Sequence, residues 1–201
     1  MMKPLIRSHL QTWAYGSIAR GDISPGSDID IFIPNPPSAT IIQALLERAN
    51  IRINSRLIVQ ATPGYAAKAY LNLDKKKGYS FPLVELRQNE IDFYKFAGPV
   101  THEHIEKGVR VPGVNKDLIL IEPIPQGHLE SSIEGKEGIV AKKLGVDVRI
   151  VLERVRTLER REKVGHTGVF VKRELAPHED ISSVFRELTR SKPAIRRRLR
   201  K

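Results

Sequence analysis

Apolar positions along the chain follow two periods, one near two residues and one near 3.6, and their succession lays out the elements. Residues 12–15 read as a short strand. Residues 28–33 alternate, with Ile29, Ile31 and Ile33 on one face and Asp28, Asp30 and Phe32 on the other. Pro34-Asn35-Pro36-Pro37 is a stiff break. Ser38 then caps a helix over 39–49, where Ile41, Ile42, Leu45, Leu46 and Ala49 recur at helical spacing. Residues 56–61 (RLIVQA) predict a strand, 63–72 a short helix opened by Pro63, and 79–86 (YSFPLVEL) another strand. Residues 89–98, with Phe93, Tyr94 and Phe96, read as a packed closing segment. A Gly- and Pro-rich, β-rich connector follows, with one clear strand at 118–122. Further on, 133–144 predicts a helix stopped by Gly145, and Asp147 caps a second helix over 148–161. That helix puts Val148, Val151, Leu152, Val155 and Leu158 on one face. A Gly165-His166-Thr167-Gly168 turn leads into a strand at 169–173, and an amphipathic helix lies near 179–190.

Within this pattern the stretch 15–33, YGSIARGDISPGSDIDIFI, carries chemistry. Asp28 and Asp30 share a strand face about 7 Å apart, a platform for a hard divalent cation such as Mg²⁺. Gly16-Ser17 is the exit from the preceding strand into a helical turn over 17–20. Glycine there lets a ligand approach the backbone, and the free N–H groups at a helix start attract anions. Ser17 adds a hydroxyl and Arg20 a cation. A phosphate cradle beside paired carboxylates points to phosphoryl or nucleotidyl transfer.

Composition narrows the class. The chain has 201 residues, 40% hydrophobic, enough for one large domain or two small ones with a real core. Cysteine is absent, which excludes disulfides and thiolate metal sites. No apolar run reaches membrane-spanning length, and the N-terminus lacks the apolar core of a signal peptide, so a cytoplasmic protein is expected. His102-Glu103-His104 offers two metal-capable rings, but no third ligand follows nearby. Charge is uneven. Residues 142–201 hold 18 Lys and Arg against 8 Asp and Glu, whereas 1–141 hold 16 against 15. Such asymmetry predicts a polyanionic partner for the C-terminal part.

Gly16-Ser17, the spacer and the Asp28-Ile29-Asp30-Ile31 run together resemble the signature of the DNA polymerase β-like nucleotidyltransferase superfamily, and most closely its small prokaryotic members. The resemblance is dense over about 20 residues and extends over roughly the first 95. It implies an α+β fold, a small mixed β-sheet with helices on one face. It also implies transfer of a nucleoside monophosphate from an NTP to a hydroxyl acceptor. In that reading Asp28 and Asp30 hold two Mg²⁺ (or Mn²⁺) ions about 3.5–4 Å apart. Gly16 and Ser17 position the β- and γ-phosphates, and Arg20 assists. The family has a third acid on a later strand; Glu85 is the first candidate and Asp92 the second.

The helix, tight turn, basic helix and strand of 128–175 resemble a winged helix-turn-helix, with the second helix in a groove and a hairpin along the backbone. Arg149, Arg154, Arg156, Arg160 and Arg161 on that helix, Lys172 and Arg173 on the hairpin, and Arg196, Arg197 and Arg198 in the tail are the expected nucleic-acid contacts. The expected organisation is a catalytic domain at 1–98, the connector at 99–127, the winged-helix-like domain at 128–175, and a helix with a basic tail at 176–201. The expected acceptor is nucleic acid, RNA ahead of DNA. The alternatives are a nucleic-acid-binding regulator on an inactive catalytic fold, and transfer of AMP to a protein partner.

Overall fold

A computed structural model describes residues 1–165 and 168–199, except the side chain of Arg197. In chain order the elements are α1 (Lys3–Ile6), β1 (Trp13–Tyr15), α2 (Ser17–Arg20), β2 (Ile29–Phe32), α3 (Ala39–Arg48), β3 (Ser55–Gln60), β4 (Lys68–Asn72) and β5 (Lys77–Pro82). They continue with α4 (Gln88–Ala97), β6 (Pro99–Val100), α5 (His102–Glu106), β7 (Gly113–Val114), β8 (Ile119–Ile124) and β9 (Gly127–Ser132). The chain then runs through α6 (Glu137–Leu144), α7 (Val148–Val164), β10 (Val171–Glu174), α8 (Ile181–Ser191) and α9 (Pro193–Leu199). They divide into two compact units. One comprises the described residues of Met1–Thr12, Asp30–Leu86 and Gly168–Lys201, the other those of Trp13–Ile29 and Arg87–Thr167.

The first unit holds strands in the order β10-β3-β4-β5-β2. β10, β3, β4 and β5 are successive antiparallel neighbours, with Ile58 opposite Ala69, Ala69 opposite Phe81, and Leu71 opposite Tyr79. Those five side chains are buried, as strict alternation demands of a face that carries the core. Ile31 and Ile33 of the Asp30 strand are buried as well, with Leu5 of α1, Ile42 and Leu46 of α3, and Ile181 and Val184 of α8. Ser38 caps α3 as predicted, its hydroxyl accepting from Ile41 N at 3.2 Å. The buried stripe of α3 is narrower than its apolar pattern, since Ile41 stays 49% exposed. Arg56 on β3 donates to the carbonyls of Ala176, Pro177 and Glu179, tying the loop before α8 to the sheet.

Two expectations fail in this unit. The helix predicted over 63–72 is instead the strand β4, whose Ala69 and Leu71 point into the core while Lys68, Tyr70 and Asn72 do not. The alanines of that stretch favour a helix locally, but pairing along both edges overrides the propensity. The predicted wing is also corrected. Val171–Glu174 pairs with β3 (Val171 opposite Gln60, Glu174 opposite Leu57) and so extends this sheet instead of forming a hairpin against the basic helix. His166 and Thr167 of the predicted turn lie outside the described residues.

In the second unit β1 pairs antiparallel with β6, and β7, β8 and β9 make a three-stranded antiparallel sheet. Phe96 of α4, Val114, Leu120, Ile133, Val140 and Ala141 of α6, and Ile150 and Val151 of α7 form its core. Gly113 permits the close approach of β7 to the end of α4, since a Cβ there would sit 2.6 Å from the Ala97 carbonyl. α6 stops at Gly145, and the tight turn to Asp147 starts α7. α6 begins at Glu137, later than predicted, because Gly135 takes φ 70°. Val148, expected on the apolar face of α7, is 41% exposed, and Ile150 is buried in its place. His102 and His104 fall on the helix α5, where residues two apart diverge, so they do not share a face.

Candidate active site

Tyr15 ends β1, and Gly16 takes φ 82° and ψ −148°, a conformation open to glycine and strained for other residues. A Cβ at Gly16 would meet no atom within 4 Å, so the backbone there is open to a ligand. Ala19 and Arg20 both donate their amides to Gly16 O, and Gly21 donates to Ser17 O. The amides of Ser17 and Ile18 open the turn, where helical geometry supplies no acceptor.

Arg20, expected beside the nucleotide, is only 5% exposed and is occupied elsewhere. Its Nη1 donates to Ala97 O and its Nη2 to Asp22 Oδ2, both at 2.8 Å. It ties α2 to the end of α4. The aromatic group of residues 89–98 is likewise core. Tyr94 is buried, edge-on to Tyr15 at 5.0 Å and to Phe93 at 5.4 Å.

Asp28 is exposed immediately before β2, and Asp30 lies half-buried within it. Alternation places Phe32 on the face of Asp30. One contact from β4 marks the same face: the Lys68 ammonium lies 5.7 Å from the Phe32 ring centroid. Burial first and Asp30 second hold the Tyr70 phenol above its ordinary pKa, so it stays neutral. β5 lies between β4 and β2, bonded to β2 through Ile33 N to Ser80 O at 2.9 Å. Its residues on this face are Gly78, Ser80 and Pro82, opposite Asn72, Tyr70 and Lys68. Gly78, Ser80 and Pro82 are small and buried, and the Lys68 side chain crosses the middle strand as far as the Phe32 ring.

The third acid is not found on these strands. β3, β4 and β5 read SRLIVQ, KAYLN and KGYSFP, with no carboxylate among them. Glu85, expected on a strand over 79–86, lies in the loop after β5, which ends at Pro82, a residue that cannot donate to a further ladder. It is exposed and lines a cavity of about 510 Å³ with Pro34, Ser38, Ser182, Phe185 and Arg186. Its backbone carbonyl accepts from Arg198 Nη2 at 2.9 Å. Asp92, the other candidate, is 4% exposed on α4, accepts from Gln88 Nε2 at 2.8 Å, and lies 3.5 Å from the Asp147 amide. Among the described residues no cluster of three or more His, Cys, Asp and Glu side chains is placed to hold a metal.

The predicted basic contacts fall in both units. On α7, Arg149 is bound to Asp147, the N-cap, whose carboxyl this guanidinium draws down to about 2. Arg154 stacks over Phe93 at 4.9 Å. Arg156, Arg160 and Arg161 are exposed, with Arg156 and Arg160 four residues apart on one face. In the first unit Lys172 is exposed, and Arg173 is held by Glu179 at 2.6 Å. On α9, Arg196 is exposed and Arg198 is half-buried; the side chain of Arg197 lies outside the described parts.

The expected helix over 63–72 hid Lys68 and Tyr70 as strand residues. The signal was there in the alternation Lys68-Ala69-Tyr70-Leu71-Asn72.

Among the described residues no helix is long and apolar enough to cross a membrane. No curated protein and no solved structure matches the chain. The nucleotidyltransferase domain, by contrast, matches residues 7–140, about two thirds of the chain and including Gly16-Ser17, Asp28 and Asp30, and the protein belongs to that family.

Proposed function

We propose that the protein transfers a nucleoside monophosphate from an NTP to a hydroxyl on nucleic acid, RNA ahead of DNA. The observation that carries this reading is the open Gly16-Ser17 turn, followed in the chain by Asp28 and Asp30 at the head of β2. Gly16 and the Ser17 amide and hydroxyl receive the β- and γ-phosphates of the nucleotide. The acceptor oxygen bonds to the α-phosphorus, the bond from that phosphorus to the bridging oxygen breaks, and pyrophosphate leaves. The acceptor proton passes to solvent.

The residues present fit a divalent ion carried in by the nucleotide. Mg²⁺ takes one or two protein carboxylates and completes its shell with substrate phosphates and water. Asp28 and Asp30 supply that donor set. An ion held there would supply Lewis-acid activation of the acceptor hydroxyl and charge compensation for the phosphates. Positioning and charge compensation account for most of the catalysis in such transfers.

The α6–α7 helix-turn-helix, with Arg156, Arg160 and Arg161, and the Lys172 and Arg196 side chains of the first unit are the acceptor-binding groups. Backbone phosphates are their targets, and binding is accordingly salt-sensitive. A second reading is favoured by one observation, the lack of any acid on β3, β4 and β5. In it the catalytic fold is inactive and the protein is a nucleic-acid-binding regulator.

One assay separates the readings. The protein is incubated with each α-labelled NTP, Mg²⁺, total RNA and total protein, with Asp28→Asn/Asp30→Asn as control. Labelled RNA absent from the control is expected. Bound RNA without label establishes the regulator, and labelled protein instead establishes AMP transfer to a protein partner.

A further inference from the structure

We infer that Arg110 is a positioning residue for the Gly16-Ser17 turn: it clamps the end of α2 to the β8–β9 turn, so that the three-stranded sheet fixes the backbone that receives the nucleotide phosphates. The inference rests on the phosphate role proposed above for Gly16 and Ser17 and adds to it a residue from outside the turn.

α2 is a single turn, Ser17–Arg20, too short to hold its own geometry. Its far end is Gly21, at φ 94°, whose amide donates to Ser17 O at 2.8 Å. A shift of Gly21 is therefore passed to Ser17 through one bond. The Arg110 side chain lies against Gly21. A Cβ at that glycine would sit 2.5 Å from Arg110 Cδ and 2.9 Å from Nη1. Glycine at 21 thus serves the left-handed backbone and the close approach of the arginine at once.

The tip of Arg110 is fixed as well. Nη2 donates to Ile124 O at 2.7 Å and Nη1 to Gly127 O at 3.0 Å. These residues end β8 and begin β9, and they are register partners across the turn. A planar guanidinium fork meets both carbonyls; an ammonium, a point charge on a flexible stem, does not. Pinned there, the arginine cannot yield to a displaced Gly21 without losing those bonds. The next residue adds a main-chain link, Val111 N donating to Ala19 O at 3.0 Å. With the Arg20 bond to Ala97 O, the exit of α2 is held at Ala19, Arg20 and Gly21, while its entry at Gly16 borders open space. Misplacing a positioning group by about 1 Å can cost on the order of a hundredfold in rate.

The test reads nucleotide affinity and the Ser17 amide together. The full chain is titrated with each NTP and Mg²⁺, without acceptor, by calorimetry below the Tm of each variant, and the Ser17 amide is followed by NMR. The wild type is expected to bind at least one NTP with a shift of the Ser17 amide. Arg110→Ala is expected to move that amide before any NTP is added and to bind at least tenfold more weakly. Arg110→Lys keeps the charge and loses the fork, and is expected to weaken binding to a similar degree. Lysine affinity within about threefold of the wild type, beside a weakened alanine variant, makes Arg110 a charge felt by the nucleotide and overturns the clamp. Gly21→Ala presses on the same contact from the other side and decides the matter should Arg110→Ala not fold: at least tenfold weaker binding is expected, and affinity within about threefold of the wild type overturns the inference. An unmoved Ser17 amide and affinity within about threefold in Arg110→Ala, with a wild type that binds and responds at Ser17, overturn this inference alone. No NTP binding by the wild type, or binding with a silent Ser17 amide, overturns it together with the phosphate role of the turn.

Discussion

Replacing Arg20 by alanine tests whether this residue serves the fold or the nucleotide. The side chain is buried, and removing it takes two charge-assisted bonds, one to Ala97 O and one to Asp22 Oδ2. It also strands a carboxylate that is 16% exposed and whose Oδ1 has no protein hydrogen-bond partner. Breaking a buried pair from one side costs about 3–5 kcal/mol, because the surviving charge stays desolvated. The remaining exposure of Asp22 sets the expectation at the lower end, about 3 kcal/mol. For a chain of this size that is a fall of roughly 6–12 °C in Tm. The double variant Arg20→Ala/Asp22→Ala removes the stranded charge and should recover part of the loss, a positive coupling between contacting residues. Thermal and urea denaturation of the three variants measure this. If Arg20→Ala leaves stability within about 0.5 kcal/mol, the ordinary range of a surface change, while NTP affinity collapses, the structural assignment is wrong and the cation belongs to the nucleotide site.

Gly16→Ala adds a methyl group in empty space, so its cost is backbone strain of about 1–3 kcal/mol; NTP affinity measured by calorimetry should fall at least tenfold, and unchanged affinity would remove the turn from the site. The Asp147 carboxyl should titrate near 2 by NMR and rise toward its ordinary value in Arg149→Gln. Because the folded-state pKa is depressed, its contribution to stability is present above the ordinary carboxylate pKa and disappears as pH falls toward 2. Arg156→Ala and Arg160→Ala should each lower the slope of log K against log salt for RNA by about one phosphate contact; an unaltered slope in both excludes this face of α7 from the RNA.

Features set by near neighbours were legible in the chain. The Ser38 cap, the Gly145 stop, the Asp147 cap and the alternation of Asp28 to Ile33 each depend on a few adjacent residues. What escaped depends on partners far along the chain. Arg20 donates to the carbonyl of Ala97, 77 residues away, a partner its local setting after Gly-Ser could not show. The 169–173 segment followed a basic helix, and only its distant partner β3 shows that it is not a wing. Lys68 and Tyr70 were hidden by Ala66, Ala67 and Ala69, whose helix propensity outweighed a short alternation until two neighbouring strands enforced it. Glu85 was misplaced by a single residue type, Pro82, which ends β5 before the acid is reached.

The pairing of Val171–Glu174 with Ser55–Gln60 sets an order for biosynthesis. A ribosome releases β3 more than a hundred residues before the strand that covers its edge. Throughout that interval the nascent sheet carries an open row of amides and carbonyls, a template for pairing with another chain. The whole of Arg87–Val164 emerges meanwhile and has its own core to collapse around. A fragment ending at residue 165 keeps Asp28, Asp30 and the core of the second unit but loses β10 and the loop gripped by Arg56. Such a fragment should aggregate on expression, and supplying 168–199 in trans should rescue its solubility.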